Sequence, residues 1–142
     1  MTKQTCKLNP TEQTFKVKLT AALFALLLAT TCAVAAQEGS AKRVRFGRGR
    51  TSATLKNTVV RGTRDRYTLE AGAGQKMTVR ITSVERNAVF TIHGPNGETL
   101  EGAGEGVDAT NWSGKLPHAG NYVIEVGGTR GNATYTLTVS VR

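Results

Sequence analysis

Past residue 36 the chain has no cysteine, since Cys6 and Cys32 both come earlier. That part of the protein has no disulfide to staple it and no thiolate for catalysis or metal binding. Histidine is nearly as scarce, with only His93 and His118 present. Neither stands at ligand spacing from another metal-binding residue, and no serine lies in a G-x-S-x-G setting. Nucleophile–base hydrolysis and a zinc centre both lack their parts, so the sequence predicts a protein that is not an enzyme and needs no cofactor or metal. Aromatic residues make up 6% of the chain, too few for a stacking groove along single-stranded nucleic acid. After residue 36 no window carries an apolar period of 3.6, which removes amphipathic helices from consideration.

The longest apolar run, residues 19–29, is too short for a comfortable membrane span. It follows Lys3, Lys7, Lys16 and Lys18 and precedes the small residues Cys32 to Ala36. That basic–apolar–small order predicts a secretory signal peptide over residues 1–36, cleaved after Ala36 or, alternatively, Ala35. The expected product is one domain, residues 37–142, exported to the periplasm or the outside. Lipid anchoring at Cys32 is the minor alternative, because Ala29 and Thr31 fit a lipobox poorly.

The most regular pattern lies at the end of the chain. Tyr122, Ile124 and Val126 alternate with Val123 and Glu125; after a Gly-rich gap, Tyr135, Leu137, Val139 and Val141 alternate with threonines, Ser140 and Arg142. Period-two alternation predicts two half-buried strands with a Thr-rich wet face, joined as a hairpin by residues 127–132. Arg130 is the one cation at that tip. Upstream, Val44-Arg45-Phe46 reads as a short strand, and Ala53, Leu55 and Val59 as a second. Residues 61–65 read as a turn before Tyr67, Leu69 and Ala71. Met77, Val79 and Ile81 mark a central strand, and Phe90 and Ile92 the inward face of another. Gly94-Pro95-Asn96-Gly97 has good turn chemistry, because Pro fixes φ and Asn-Gly accepts φ > 0. Residues 98–110 read as an acidic, Gly-rich loop too floppy to hold paired carboxylates, and Trp112 as a core residue of the strand that follows. About seven or eight short strands at spacings of about 8–12 residues predict an all-β fold, a single antiparallel β-sandwich of jelly-roll type. An open barrel is the alternative topology.

The chain carries a net charge of +9, which becomes +6 once Lys3, Lys7, Lys16, Lys18 and Glu12 are removed with the signal peptide. Between residues 42 and 66 Asp65 is the only acid, whereas Glu98, Glu101, Glu105 and Asp108 fall in a stretch without a base. Arg43, Arg45, Arg48 and Arg50 form a basic patch. In an exported protein its counterpart is a cell-wall glycan or an anionic lipid rather than nucleic acid, and cations at a strand edge also block aggregation.

Arg45-Phe46, Gly49, Thr51-Ser52-Ala53, Arg61-Gly62, Asp65-Arg66-Tyr67 and Ala73-Gly74-Gln75 together resemble the start of the bacterial periplasmic inhibitors of g-type (goose-type) lysozyme. Phe90, Gly94-Pro95, Gly114-Lys115-Leu116-Pro117, Gly120-Asn121-Tyr122, Thr129-Arg130 and Tyr135 continue the likeness, which runs from Val44 to Val141. The same pattern is similar to the bacterial pre-peptidase C-terminal (PPC) domains. The resemblance implies a β-sandwich whose loops at one end enter the lysozyme's substrate cleft. It also implies a site built from an early-turn Tyr, a Ser before the closing hairpin and two tip arginines. Arg130, with Thr129 beside it, matches the first arginine. Thr63 stands at the Tyr position, Ala119 (next to His118) at the Ser, and the second Arg has no counterpart in a shorter tip. The expected partner is a g-type lysozyme bound by a monomer. The alternative is an envelope-binding accessory module of the PPC type, held to glycan or anionic lipid through the basic patch.

Overall fold

The structure, a computed structural model, describes residues 38–142. The expected signal peptide, with both cysteines, lies outside them. Eight strands follow one another: β1 (Ala41–Arg43), β2 (Ser52–Val59), β3 (Arg64–Ala71), β4 (Lys76–Ser83), β5 (Ala88–His93), β6 (Asn111–Lys115), β7 (Gly120–Gly128) and β8 (Ala133–Val141). In β3 and β8 burial alternates residue by residue, as a pleat with one core face requires. Leu69, Met77, Val79, Ile92, Tyr122, Ile124, Val126, Leu137 and Val139 are wholly buried.

The expected sandwich is present. One sheet runs β1-β3-β7-β5, the other β2-β8-β4-β6. Odd strands make one layer and even strands the other, so every connection crosses between sheets. All bonded pairs are antiparallel except β1–β3.

This corrects the closing hairpin. β7 pairs with β3 and β5, β8 with β2 and β4, and the two never pair with each other. Their connection is an arch from one layer to the other. Alternation alone cannot separate the two cases: it says that each strand has an apolar face, not whether two such faces lie side by side or opposite. Here they are opposite: β7 shares a sheet with β3, whose Tyr67 ring meets the Tyr135 ring of β8 edge-to-face across the sandwich at 6.5 Å.

Three further expectations change. The first strand is 41–43, not 44–46. Val44 is still tied by its N–H to the Thr68 carbonyl (2.8 Å), after which the chain turns away between Gly47 and Arg50 toward the other sheet. Asp65 belongs not to the turn but to β3, where it is buried on the side of Tyr67 and Leu69. Finally, the 98–110 loop is anchored rather than floppy. Leu100 donates to Ile92, Ile92 to Ala103 and Phe90 to Ala109 through the backbone, and Leu100, Ala103 and Ala109 are buried. The loop thereby covers the open edge of β5. Trp112 packs against the core with its indole N–H on the Glu101 carbonyl at 2.9 Å.

A polar network sits inside the sandwich. The Asp65 carboxylate accepts from the Ser40 N–H (2.7 Å), the Asn57 amide (2.9 Å) and the Tyr135 hydroxyl (2.6 Å), and the Tyr135 and Tyr67 hydroxyls share a hydrogen bond of 2.7 Å. Burial pushes both phenol pKa values up. The fold therefore favours the neutral phenols, and stability that is intact below the unfolded tyrosine pKa of about 10 is lost as pH rises beyond it. We expect the urea midpoint to hold between about pH 7 and 9 and then fall. Tyr67→Phe should flatten that fall by up to about 1.4 kcal/mol per pH unit; an unchanged slope would contradict this origin.

Candidate functional site

The registers decide which loops share an end. Val59 lies opposite Ala133, Arg64 opposite Gly127, Ala88 opposite Gly128 and Ser83 opposite Tyr135. The turn at 60–63, the loop at 84–87 and the arch at 129–132 therefore cluster together, and they bring Thr63, Thr129 and Arg130 to one end. Ala119 and His118 precede β7 and lie at the other end, about 27 Å away along a nine-residue strand. Both are exposed.

The arch is held from within by Asn87, which is 1% exposed. Its side-chain amide donates to the carbonyls of Arg130 (3.0 Å) and Asn132 (2.9 Å), and its backbone carbonyl accepts from the Thr129 N–H (2.8 Å). Ser83 Oγ in turn accepts from the Asn87 N–H at 3.0 Å. The Asn132 side chain accepts from the Arg61 N–H at 2.9 Å, tying the arch to the neighbouring turn. Gly131 has φ of 65°, and a Cβ on Gly128 would lie 2.8 Å from the Gly131 carbonyl oxygen. Both positions call for glycine to make the bend.

On this fixed loop Arg130 is exposed and, among the described residues, forms no ion pair. Its guanidinium reaches only the Glu85 carbonyl, at 3.5 Å. The Thr63 hydroxyl donates to the Val60 carbonyl (2.9 Å) and so closes its own turn. Beside the arch lies a cleft of about 260 Å³ between the 62–64 segment, β5 and the 104–108 segment, spanned by Arg64 and Glu105 at 3.7 Å. Among the described residues, the large apolar side chains that stay exposed are Val60 (49%), Val84 (95%) and Val107 (53%). Two stand on the clustered loops and the third on the loop flanking the cleft. An apolar fringe around Arg130, with the exposed Arg61 and Arg86 on the neighbouring loops, has the composition of a protein-binding surface.

The basic patch divides. Arg43 pairs with Glu70 at 3.2 Å on the outside of its sheet, while Arg45, Arg48 and Arg50 are exposed at the end opposite Arg130. Among the described residues no group of three or more His, Asp or Glu side chains is placed to hold a metal ion.

Asn87 and the three valines went unrecognised in the sequence. For the valines a signal existed: each is an apolar residue in a turn or loop, where the alternation gives it no place. Replacing Asn87 by Ala removes the donors to two arch carbonyls. We expect a loss of about 1–3 kcal/mol, read as a lower urea midpoint, together with faster amide exchange across 129–132. Unchanged exchange there would mean that Asn87 does not hold the arch.

The fold matches that of three periplasmic inhibitors of g-type lysozyme. The inhibitor from Aeromonas hydrophila is 32% identical, with a TM-score of 0.64 over 74% of this chain and 99% of the other. A mutant of the Escherichia coli inhibitor is 22% identical (TM-score 0.61; 73% and 99% covered), and the Salmonella Typhimurium protein 23% (0.58; 73% and 99%). The pre-peptidase C-terminal domain of a Bacillus anthracis collagenase has the same fold at 17% identity (0.52; 72% and 95%). No protein-family model and no curated protein matches the chain.

Proposed function

The chain belongs to the family of periplasmic inhibitors of g-type lysozyme, and we propose that it is an exported, monomeric, non-enzymatic inhibitor that binds such a lysozyme through the loops around Arg130. One observation carries this reading: Arg130 stands exposed on an arch fixed by Asn87, within a fringe of exposed valines. Glycoside hydrolases work with carboxylates in their clefts. A guanidinium delivered into such a cleft can form bidentate, charge-assisted hydrogen bonds with them. The fixed arch spares the complex much of the entropy cost of ordering a loop.

The contact includes Thr63 and Thr129 and leaves Ala119 and His118 outside it, because one cleft cannot reach both ends of the sandwich. With the missing second arginine, the recognition rests more heavily on Arg130. The carboxylates of Glu105 and Asp108 on the flank of the cleft offset the chain's positive charge where a basic enzyme would approach. Export is supported by the basic–apolar–small order of residues 3–36 and by the periplasmic setting of the relatives.

The test is a titration of a g-type lysozyme with this protein while clearance of a cell-wall suspension is followed. Activity should fall in proportion to added protein and reach its floor near one equivalent. Full activity at micromolar protein overturns the reading.

A further inference from the structure

The two outer faces of the sandwich treat charge differently. On the odd-numbered sheet cations stand beside acids: Arg66 meets Glu125 at 2.7 Å, Arg43 meets Glu70 at 3.2 Å and His93 lies 3.8 Å from Glu125. On the even-numbered sheet the outward positions of all four strands are serine, threonine, Asn111 or one of the cations Lys56, Lys76, Arg80 and Lys115. None is acidic and none is apolar. Among the described residues none of those cations forms an ion pair.

The registers arrange these groups in rows. Lys115 lies opposite Lys76, and Lys76 exchanges backbone hydrogen bonds with Arg142, which puts three cations side by side at one end. The next outward row is Ser113, Thr78, Ser140 and Ser52, and the one after it Asn111, Arg80, Thr138 and Thr54. Like charges on neighbouring strands repel, so the pairing of Lys115 with Lys76 costs stability. Solvent exposure asks only that an outer sheet face be polar. It does not ask for a single sign, and the other sheet of this molecule mixes its signs.

We propose that the outer face of the even-numbered sheet is a docking surface for an acidic polysaccharide, one bearing carboxylates along an extended chain. Its cations match carboxylates, and its hydroxyl rows, about 4.8 Å apart across strands and about 6.7 Å along them, can donate to and accept from sugar hydroxyls. A bilayer is a poorer fit, because the face offers no apolar side chain to insert. A folded protein is poorer too, because stable protein interfaces need an apolar core. This surface is separate from the loops around Arg130, so both can be occupied at once and lysozyme binding is not a premise.

The test measures binding of the protein to a soluble polyuronate by calorimetry at low and moderate salt, with neutral dextran, phosphatidylglycerol vesicles and duplex DNA alongside. Micromolar binding to polyuronate and none to dextran is expected. The triple variant Lys76→Gln/Arg80→Gln/Lys115→Gln should weaken binding by about tenfold or more. A triple variant of equal charge change on the opposite outer face, Arg43→Gln/Arg64→Gln/Arg66→Gln, should alter it less than about threefold. Thr78→Val/Thr138→Val, which keeps the charge, should weaken it several-fold. The proposal is overturned if polyuronate fails to bind, if both triple variants lose equally, or if vesicles or DNA bind more tightly than polyuronate. Because all substituted side chains point outward, matching circular dichroism spectra and urea midpoints establish that the comparison is between folded proteins.

Discussion

Arg130→Ala is expected to weaken inhibition of a g-type lysozyme by about 100-fold or more. Arginine at the centre of an interface commonly carries more than 2 kcal/mol, and a charge buried against carboxylates costs 2–5 kcal/mol when truncated; about 2.7 kcal/mol is a factor of 100. Here the expected loss lies at the upper end, since Thr63 supplies no phenol to share the load and the tip has no second arginine. The Thr63 hydroxyl is already committed to the Val60 carbonyl. Arg130→Lys keeps the charge but loses the planar fork, and should fall between the two. Because Arg130 is exposed and makes only one long hydrogen bond within its own chain, neither variant should move the urea midpoint by more than about 0.5 kcal/mol. Inhibition constants from clearance assays at several inhibitor concentrations give the answer. Unchanged inhibition by Arg130→Ala removes the arch from the mechanism. A parallel loss in Val84→Glu, with Ala119→Glu and His118→Glu near wild type, places the contact at the end that the registers define.

How much of this was legible depends on what each residue answers to. Alternation is a local property, and it located β2, β3, β4, β5, β7 and β8 because each has one face in the core. Pairing is not local. The six residues from Gly127 to Asn132 suit a hairpin and an arch equally well, so the most regular stretch of the chain was also where the topology went astray. Asp65 carried a readable signal: it is two residues before Tyr67 and keeps the inward parity of Tyr67, Leu69 and Ala71, but the polar, Gly-containing run from Arg61 to Asp65 has turn chemistry as well. Asn87 carried none. Its partners lie 43 and 45 residues further on, and no rule of spacing connects them. The candidate site shows the same division. Arg130 stood out because glycines frame it, while the partition of Thr63 from Ala119 follows only from strand direction.

Asp65 is where the largest loss of stability is expected. Its carboxylate is 2% exposed and accepts from the backbone before β1 in its own layer and from side chains on β2 and β8, so it ties the two layers together at two points. Asp65→Ala leaves the Ser40 N–H, the Asn57 amide and the Tyr135 hydroxyl without their acceptor. Removing one member of a buried charged network costs about 3–5 kcal/mol, against a total of about 5–15 kcal/mol for a domain. The variant should therefore unfold at far lower urea, followed by far-UV circular dichroism and by the fluorescence of Trp112. Asp65→Asn retains the shape and one acceptor and should lose less, about 1–3 kcal/mol. The informative comparison is Asp65→Leu/Tyr135→Phe, in which donor and acceptor vanish together. If the cost arises from stranded polar groups, the double variant recovers part of what Asp65→Leu loses, and the two substitutions are non-additive by about 1 kcal/mol or more. Strict additivity would mean that the Asp65–Tyr135 hydrogen bond has no part in holding β3 against β8, leaving only the Ser40 and Asn57 contacts.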